Sequence, residues 1–301
     1  EKILEYFIEE VGAGNQYAYV SQLKREELSY QFYENFEILL NHCKKAITSV
    51  DRKSEKKVSF YDPSLENEYD RQIKIELSLE NALQNKEFTA YYQPIVDITR
   101  EDIRGFEALA RWIHPKLGVV SPGEFIPILE KTHKIHRLDM FIIEKSIQET
   151  QIISKKFNRN FIVSCNVSVE TILRPNFIEF ILESLAKFGY PAKYLELEIT
   201  ESTIIYDFEK IRGIMSKLTS KGVRFSEDDF GDGYSSLNYL TQLDIQTLKI
   251  SRTFTRNVFK NEKNKYFIET ILNLAKSIGL ETVIEGVEDL ETLNFYKSNQ
   301  C

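Results

Sequence analysis

The stretch GFEALARW, residues 105–112, has the alternating pattern of a β-strand, in which successive side chains point to opposite faces. Both faces contain apolar residues, which is typical of a strand that is buried on both sides. One face nevertheless carries Glu107 and Arg111, four residues and roughly 13 Å apart at about 3.3 Å per residue. A carboxylate and a guanidinium on one face of a buried strand raise the question of what each of them binds.

The chain from about residue 90 onward repeats such strands, with amphipathic helical stretches between most of them. The predicted strands are TAYYQPIVDI from Thr89, IRGFEALARW from Ile103, FIVSCNVSV from Phe161, YLELEIT from Tyr194, VRFSEDD from Val223, TLKI from Thr247 and ETVIEGV from Glu281. This alternation predicts parallel βα units. Seven strands favour a TIM-like (β/α) barrel over an open sheet, although periodicity alone does not separate the two. The predicted fold class is therefore α/β, one strand short of eight where the chain stops.

Composition limits the classes of partner. The 301 residues are 42% apolar, enough for a packed core, and the formal charge of −7 argues against binding a nucleic-acid polymer or an anionic membrane surface. The three cysteines, Cys43, Cys165 and Cys301, follow no metal-ligand spacing, so we expect a reducing cytoplasm and no disulfide. No apolar run is long enough for a transmembrane helix. Because the chain begins at Glu1, we expect it to be a fragment. Whether membrane or sensor segments precede it is left open.

The N-terminal part has a different organisation. Residues 70–86 form a charged stretch with apolar residues at helical spacing, and Tyr61-Asp62-Pro63 interrupts regular structure just before it. We therefore predict a separate N-terminal module over residues 1–61, a linker helix over 62–86, and the barrel over 87–301.

Polar residues interrupt the otherwise apolar strands close to their C-terminal ends. They are Glu107, Asn166, Glu198, Glu201, Asp228, Asp229, Lys249 and Glu285. The C-terminal strand ends of a barrel converge on one mouth, where this fold places its chemistry. Several carboxylates meeting there would repel one another unless cations neutralised them.

The types of these residues indicate the chemistry. Carboxylate and amide oxygens, without cysteine or histidine, select Mg²⁺ or Mn²⁺ over zinc, and such metal pairs serve phosphoryl chemistry. In that interpretation Lys249 holds the nucleophilic water or neutralises phosphate charge, and Arg111 holds a phosphate oxygen. Taken singly, each acid is more simply a rim charge or half of an ion pair, and Asp228 with Asp229 could introduce the glycine turn that follows. Their joint placement at successive strand ends favours a site.

These motifs resemble the EAL domain family. The resemblance runs, in chain order, through YYQPIVDI, GFEALARW, SPGEFIP, NVS, LELEITES, DDFGDGYSSLNYL, LKI and EGVE. It implies a TIM-like barrel and hydrolysis of cyclic di-GMP to the linear dinucleotide pGpG with two Mg²⁺ or Mn²⁺ ions. The metal ligands it implies are Glu107, Asn166, Glu198, Asp228, Asp229 and Glu285. The catalytic residues it implies are Glu107, Lys249, Asp228 and Glu201, the last anchoring the loop after Asp229. The substrate contacts it implies are Gln93 and Arg111.

Three departures from the family pattern bear on activity. Lys249-Ile250-Ser251 replaces the usual Lys-Ile-Asp, which removes an acid near the metals. Asp232 stands where a small residue is usual, and adds negative charge near metal or phosphate. The chain also ends before the last strand and its Gln-Gly-Tyr, so we expect the native protein to continue and close the barrel.

The N-terminal residues show a weaker resemblance to the C-terminal part of a GGDEF cyclase domain, an α+β fold. AGNQY, residues 13–17, falls at the position of the family signature, with Asn15 and Gln16 in place of acids. A cyclase needs acidic groups for its metals, so the resemblance implies a degenerate, regulatory remnant. The alternative is that GAGNQYAYV is only a β-hairpin.

Two functions of different class therefore stay open for the barrel. The first is a metal-dependent cyclic di-GMP phosphodiesterase, favoured because every implied metal ligand is present. The second is a receptor that binds cyclic di-GMP without cleaving it and signals through a protein partner, which Ser251 and Asp232 keep open. The family resemblance also implies a homodimer.

Overall fold

The computed structural model describes residues 64–231, 240–260 and 262–299. The chain divides into two compact units, Glu1–Leu79 and Glu80–Cys301. Helix α1, Ser64–Gln84, falls within the range predicted as a linker, while the domain boundaries themselves stay a prediction. The predicted N-terminal module over residues 1–61 lies outside the described residues.

The strands and helices of the second unit follow one another in the expected order. The strands are β1 Phe88–Asp97, β2 Asp102–His114, β3 Gly118–Val120, β4 Ile162–Asn166, β5 Leu195–Thr200, β6 Arg224–Phe230, β7 Thr247–Ile250 and β8 Glu281–Ile284. The helices are α2 Pro122–Lys131, α3 Ile135–Phe157, α4 Val169–Ile172, α5 Phe177–Phe188, α6 Glu201–Tyr206, α7 Phe208–Thr219, α8 Arg252–Asn257, α9 Glu262–Ser277 and α10 Leu290–Ser298, with a 3₁₀ turn at Ala192–Tyr194. All seven predicted strands are present, and the short β3 is an addition that pairs with β2.

The sheet has the order β1-β2-β4-β5-β6-β7-β8 and is parallel from β2 through β8. The first strand departs from the predicted parallel units, because β1 pairs with β2 in the antiparallel sense. Only residues 98–101 join these two strands, and a parallel pair needs a crossover of a dozen residues or more. Asp97 closes this short turn by accepting hydrogen bonds from the backbone N–H groups of Thr99 and Arg100, at 2.9 and 3.0 Å.

The central strands are buried on both faces, with helices covering the outside of the curled sheet. In β5 the first five residues are all buried, and in β7 all four are. At the start of the sheet, Trp112 of β2 stacks on Phe88 of β1 with 5.2 Å between ring centroids, and both rings contact Phe125 of α2. These contacts attach α2 to the outer face of the sheet and leave the inner face to the polar residues.

Strands β1 and β8 form the two ends of the sheet. Gln93, Glu107 and Glu285 are among the residues that line a cleft of about 1410 Å³ along these ends. In the described part of the chain the curled sheet is therefore a partial barrel whose inner face is accessible. No helix in that same part combines the length and the apolar character needed to cross a membrane.

Candidate active site

Lys249 lies at the centre of the candidate site. It occupies the third position of β7 and is only 1% exposed, so its ammonium group is inside the curled sheet. Its Nζ atom lies 2.8 Å from Glu198 Oε2 and 2.8 Å from Asp228 Oδ1. It also lies 3.0 Å from Glu285 Oε1 and 3.3 Å from Glu107 Oε2. Four carboxylates thus surround one buried ammonium.

The four acids come from four different strands. Glu107 belongs to β2, Glu198 to β5 and Asp228 to β6, while Glu285 directly follows β8 and donates its backbone N–H to the carbonyl of Ile250 at 3.1 Å. All except Glu107, which is in the middle of the long β2, lie at or just beyond the C-terminal part of a short parallel strand. The structure thus brings these four acids together around Lys249.

A β-bulge distinguishes β6 from a regular strand. Glu227 is the register partner of Leu248 and Phe230 that of Ile250, so that Asp228 and Asp229 together stand opposite Lys249. The extra residue is accommodated at Asp229, whose φ of 52° lies in the left-handed region. In a regular strand two neighbours point to opposite faces, and bulges beside active sites re-aim side chains. The bulge therefore places two consecutive acids opposite a single residue, Lys249.

The site carries an excess of negative charge. Burial raises the pKa of Glu198 well above its usual range, and Lys249 only partly offsets this shift. Burial also raises the pKa of Glu285. Burial by itself would lower the pKa of Lys249, but the charges of the surrounding carboxylates raise it above its usual value, so the lysine stays protonated. One positive charge does not balance four carboxylates, and further cations would stabilise the ionised site.

The donor set fits divalent cations that prefer oxygen. Among the described residues no three acidic, histidine or cysteine side chains are grouped as metal ligands would be, and the carboxylates lie against Lys249. However, Glu198 Oε1 is buried and receives no hydrogen bond from the described residues. A buried carboxylate oxygen without a donor, in a set of oxygen ligands with excess negative charge, is suited to Mg²⁺ or Mn²⁺.

The other predicted residues lie around this cluster. The Asn166 side chain, at the end of β4, donates from Nδ2 to Glu107 Oε1 at 3.5 Å, and Gln93 stands opposite Glu107 in the β1–β2 pair. Arg111 lies further along β2, where its guanidinium donates to the carbonyl of Ala110 at 2.8 Å and stacks over the ring of Tyr91 at 5.7 Å. The structure thus joins Asn166 to the acids and gives Arg111 a separate aromatic support.

Three further residues were named in the sequence analysis: Ser251 and Asp232, which depart from the family pattern, and Glu201. Ser251 follows Lys249 by two positions, is 1% exposed, and immediately precedes α8 as its N-cap residue. Glu201 is the first residue of α6, directly after β5. Asp232 lies outside the described residues.

Besides Glu196 of β5, the buried Glu227 and the half-buried Asp139 were not singled out by the sequence analysis. Glu227 precedes the two aspartates on β6, and burial together with the charge of Glu201 raises its pKa to about 7. Asp139 lies on the same face of α3 as the buried Ile142 and Ile143, and burial raises its pKa to about 6. Each of these acids occupies a position at which the periodicity of the strand or helix predicts an apolar residue. That mismatch was the feature of the sequence that could have identified them.

Comparison with known proteins agrees with this geometry. The model of the EAL domain family matches residues 76–301, about three quarters of the chain. The chain belongs to the EAL domain family. Its sheet, with one antiparallel strand followed by parallel strands, is accordingly an EAL-type fold. The motifs that suggested the family are the segments that place Glu107, Asn166, Glu198, Asp228, Lys249 and Glu285 in the structure.

Individual relatives of this EAL domain are also informative. The uncharacterised protein sll1895 of Synechocystis sp. is 36% identical over 256 residues, which are 85% of this chain and 37% of that protein. The cyclic di-GMP phosphodiesterase NbdA of Pseudomonas aeruginosa is 28% identical over 89% of this chain and 34% of its own length. The solved structure described as "PaMucR Phosphodiesterase, c-di-GMP complex" superposes with a TM-score of 0.72 at 29% identity, covering 76% of this chain and 92% of that one. The chain spans about a third of the length of these curated relatives.

Proposed function

We propose that this EAL domain is a metal-dependent phosphodiesterase that hydrolyses cyclic di-GMP to linear pGpG. The observation that carries the proposal is the cluster of four carboxylates around Lys249, on the inner face of an EAL-type sheet, with a buried Glu198 oxygen that lacks a donor. The similarity to NbdA, which is named a cyclic di-GMP phosphodiesterase, and to the MucR structure described as a cyclic di-GMP complex supports this choice of substrate.

The residues take the following roles in this proposal. The ligands of two Mg²⁺ or Mn²⁺ ions are Glu107, Asn166, Glu198, Asp228, Asp229 and Glu285. The ions, when bound, supply an activated water and stabilise the leaving oxygen of the phosphodiester. Lys249 orients the water and offsets phosphate charge, while Glu201 holds the loop that follows Asp229. Gln93 and Arg111 bind the substrate, and the stacking of Arg111 on Tyr91 orients its guanidinium toward a phosphate.

A receptor function is the second candidate. It is favoured by Ser251, which stands where the family usually has an aspartate and so removes an acid from the surroundings of the site. A receptor of this kind would bind cyclic di-GMP through Arg111 and Gln93 without turning it over.

Turnover by the full-length protein separates the two functions. Cyclic di-GMP is incubated with wild type, Glu107→Gln and Glu183→Gln in Mg²⁺, in Mn²⁺ and in chelator, and the nucleotide products are separated by chromatography. Glu183 is an exposed residue of α5 and serves as the matched control. We expect linear product from wild type and Glu183→Gln only with metal, and at least about a hundredfold less from Glu107→Gln, because a metal-holding carboxylate is lost.

The opposite result has a clear meaning. Wild-type turnover in Glu107→Gln would refute the assigned metal site. Calorimetry of cyclic di-GMP binding accompanies the assay, and tight binding without product would establish the receptor instead.

Three wider expectations also belong to this proposal. We infer a homodimer from the family resemblance, and a cytoplasmic location from the cysteine content. We also infer that residues 1–61 are a degenerate, regulatory part of a GGDEF-like domain, for which AGNQY at residues 13–17 is the supporting feature.

A further inference from the structure

Asp139 makes an unusual set of contacts for a helix aspartate. It lies in the second turn of α3, and its Oδ2 atom accepts three hydrogen bonds from the turn that begins α4. The donors are Ser168 N at 3.0 Å, Ser168 Oγ at 2.7 Å and Thr171 Oγ1 at 2.6 Å. Thr171 is fully buried, and its hydroxyl also lies 2.8 Å from Ser168 Oγ. A single carboxylate oxygen therefore ties α3 to the start of α4.

This turn continues directly from Asn166. Asn166 ends β4, and its register partner on β5 is Glu198. The next residue, Val167, donates its N–H to the carbonyl of Glu198 at 2.9 Å, and Ser168 then bonds to Asp139. The backbone that leaves Asn166 is thus held by β5 on one side and by Asp139 on the other.

The Asn166 side chain needs this support. Asn166 is the last residue of its strand, and the hydrogen bond from its Nδ2 atom to Glu107 Oε1 is long, at 3.5 Å. A weak side-chain bond does not by itself fix the direction of the amide oxygen. The placement of that oxygen therefore depends on the backbone, and Asp139 is one of the two groups that hold the backbone there.

The chemistry of Asp139 suits this task at neutral pH. Burial raises its pKa to about 6, while the hydrogen bonds donated by Thr171 and Ser168 act in the opposite direction. At pH 8 the carboxyl is ionised, and a carboxylate accepts both hydroxyl protons and the backbone N–H more strongly than a neutral group does. Apolar side chains at this position would leave Ser168 and Thr171 without their acceptor.

We propose that Asp139 is a positioning residue of the active site, which holds the Ser168–Thr171 turn so that Asn166 presents its amide oxygen to a divalent cation. The inference rests on the proposed function, and specifically on Asn166 as a metal ligand. In this role Asp139 does not bind the cation; it orients Asn166, which does.

The test measures Mn²⁺ binding directly, without substrate, at pH 8. Dissociation constants are determined by calorimetry for full-length wild type, Asp139→Ala, Asp139→Asn, Ser168→Ala and Asn166→Ala. Asp97→Ala is the matched control, because Asp97 also accepts two backbone N–H bonds in a turn but lies beside the start of β2, whereas Asn166 lies at the end of the parallel strand β4. Thermal denaturation without metal accompanies every variant.

We expect Asp139→Ala to weaken Mn²⁺ binding by about tenfold or more, the range known for residues that orient metal ligands. Asp139→Asn keeps an acceptor oxygen and should recover most of the affinity. Ser168→Ala should reproduce part of the loss, and Asp97→Ala should bind as wild type does. Combining Asp139→Ala with Asn166→Ala should add little to the loss from Asn166→Ala alone, because both act on the same ligand.

Two results would overturn the inference. One is wild-type Mn²⁺ affinity in folded Asp139→Ala, and the other is an equal loss in Asp97→Ala, which would indicate a general effect of stability. If Asp139→Ala does not fold, Ser168→Ala carries the same test, and wild-type affinity in that variant overturns the inference. A wild-type protein that neither binds Mn²⁺ nor turns over cyclic di-GMP would instead refute the proposed function.

Discussion

Glu107 and Arg111 show how two residues on one strand face acquire different partners. Glu107 reaches Lys249 Nζ at 3.3 Å and joins the acidic cluster, whereas Arg111 stacks over Tyr91 of the neighbouring strand. In the proposed function the carboxylate therefore belongs to the cation-binding part of the site. The guanidinium is held four residues further along β2 by an aromatic ring, a separation that suits binding of metal and of phosphate by different residues.

A single substitution at Ser251 tests whether the absence of an acid at this position limits the rate of hydrolysis. We expect Ser251→Asp to raise the rate of cyclic di-GMP hydrolysis roughly threefold or more at saturating Mn²⁺, because it adds a carboxylate near the cations. Aspartate is also a favourable N-cap residue, so α8 should begin as before. Initial rates by chromatography check the result, with Ser251→Asn as the uncharged control. Equal rates in the three proteins would show that this position does not limit turnover.

At the scale of elements, the close approach of β2 and β4 depends on Gly105. A Cβ atom at this position would overlap the carbonyl oxygen of Ile162, its register partner on β4. The first residue of GFEALARW is therefore a glycine because two backbones meet there. The same strand pairing sets the position of Glu107, two residues further along β2.

We expect Gly105→Ala to lower the free energy of unfolding by about 1–3 kcal/mol, because the strands must separate to admit the methyl group. Gly213→Ala is the matched control in α7, where nothing lies within 4 Å of the added Cβ atom. It should raise the free energy of unfolding by about 0.5–1 kcal/mol through helix propensity. Urea denaturation measures both changes. Equal stability of Gly105→Ala and wild type would contradict the strand geometry.

At the scale of the whole molecule, β5 contributes one acid to each of two charged clusters, which differ in their balance of acidic groups and hydrogen-bond donors. Glu196 and Glu198 are two residues apart on one face and are both almost fully buried. Glu196 accepts hydrogen bonds from Arg224 Nε at 3.0 Å, Thr247 Oγ1 at 2.7 Å and Ser164 Oγ at 3.2 Å. Glu198 instead shares Lys249 with three other acids. The first cluster is internally satisfied, whereas the second has more carboxylates than positive charges, which additional cations would balance.

This difference predicts that neutralising an acid changes the free energy of unfolding in opposite directions in the two clusters. Glu196→Gln should lower the free energy of unfolding by about 2 kcal/mol with or without Mn²⁺, because Arg224 loses its buried partner. Without metal, Glu198→Gln should raise the free energy of unfolding, since repulsion among the acids is relieved. At a Mn²⁺ concentration of a hundred times the dissociation constant, binding to a specific site adds about 2.7 kcal/mol to the free energy of unfolding. Glu198→Gln should abolish this gain.

Thermal and urea denaturation with and without Mn²⁺ measure these responses. Undiminished stabilisation of Glu198→Gln by Mn²⁺ would remove Glu198 from the set of metal ligands. Loss of the Mn²⁺ response in Glu196→Gln would show that the two clusters are not independent.

The local pattern of the chain was sufficient to predict the seven main strands and the acids within them or directly after them. Strand periodicity spans only a few residues, and a charged residue inside an apolar strand is visible without knowing what lies opposite it. Glu107, Glu198, Asp228 and Glu285 were found in this way. The EAL motifs also follow from short segments in their order along the chain.

Pairing between distant segments accounts for the features that were not predicted. The antiparallel direction of β1, the bulge at Asp229 and the central place of Lys249 all depend on which strands meet and in what register. Lys249 and Glu107, for example, are 142 residues apart in sequence and in hydrogen-bond contact in the fold. Asp139 likewise acquires its partners from a segment about 30 residues away. The charge balance of a buried group is set by distances in space, which only the folded chain establishes.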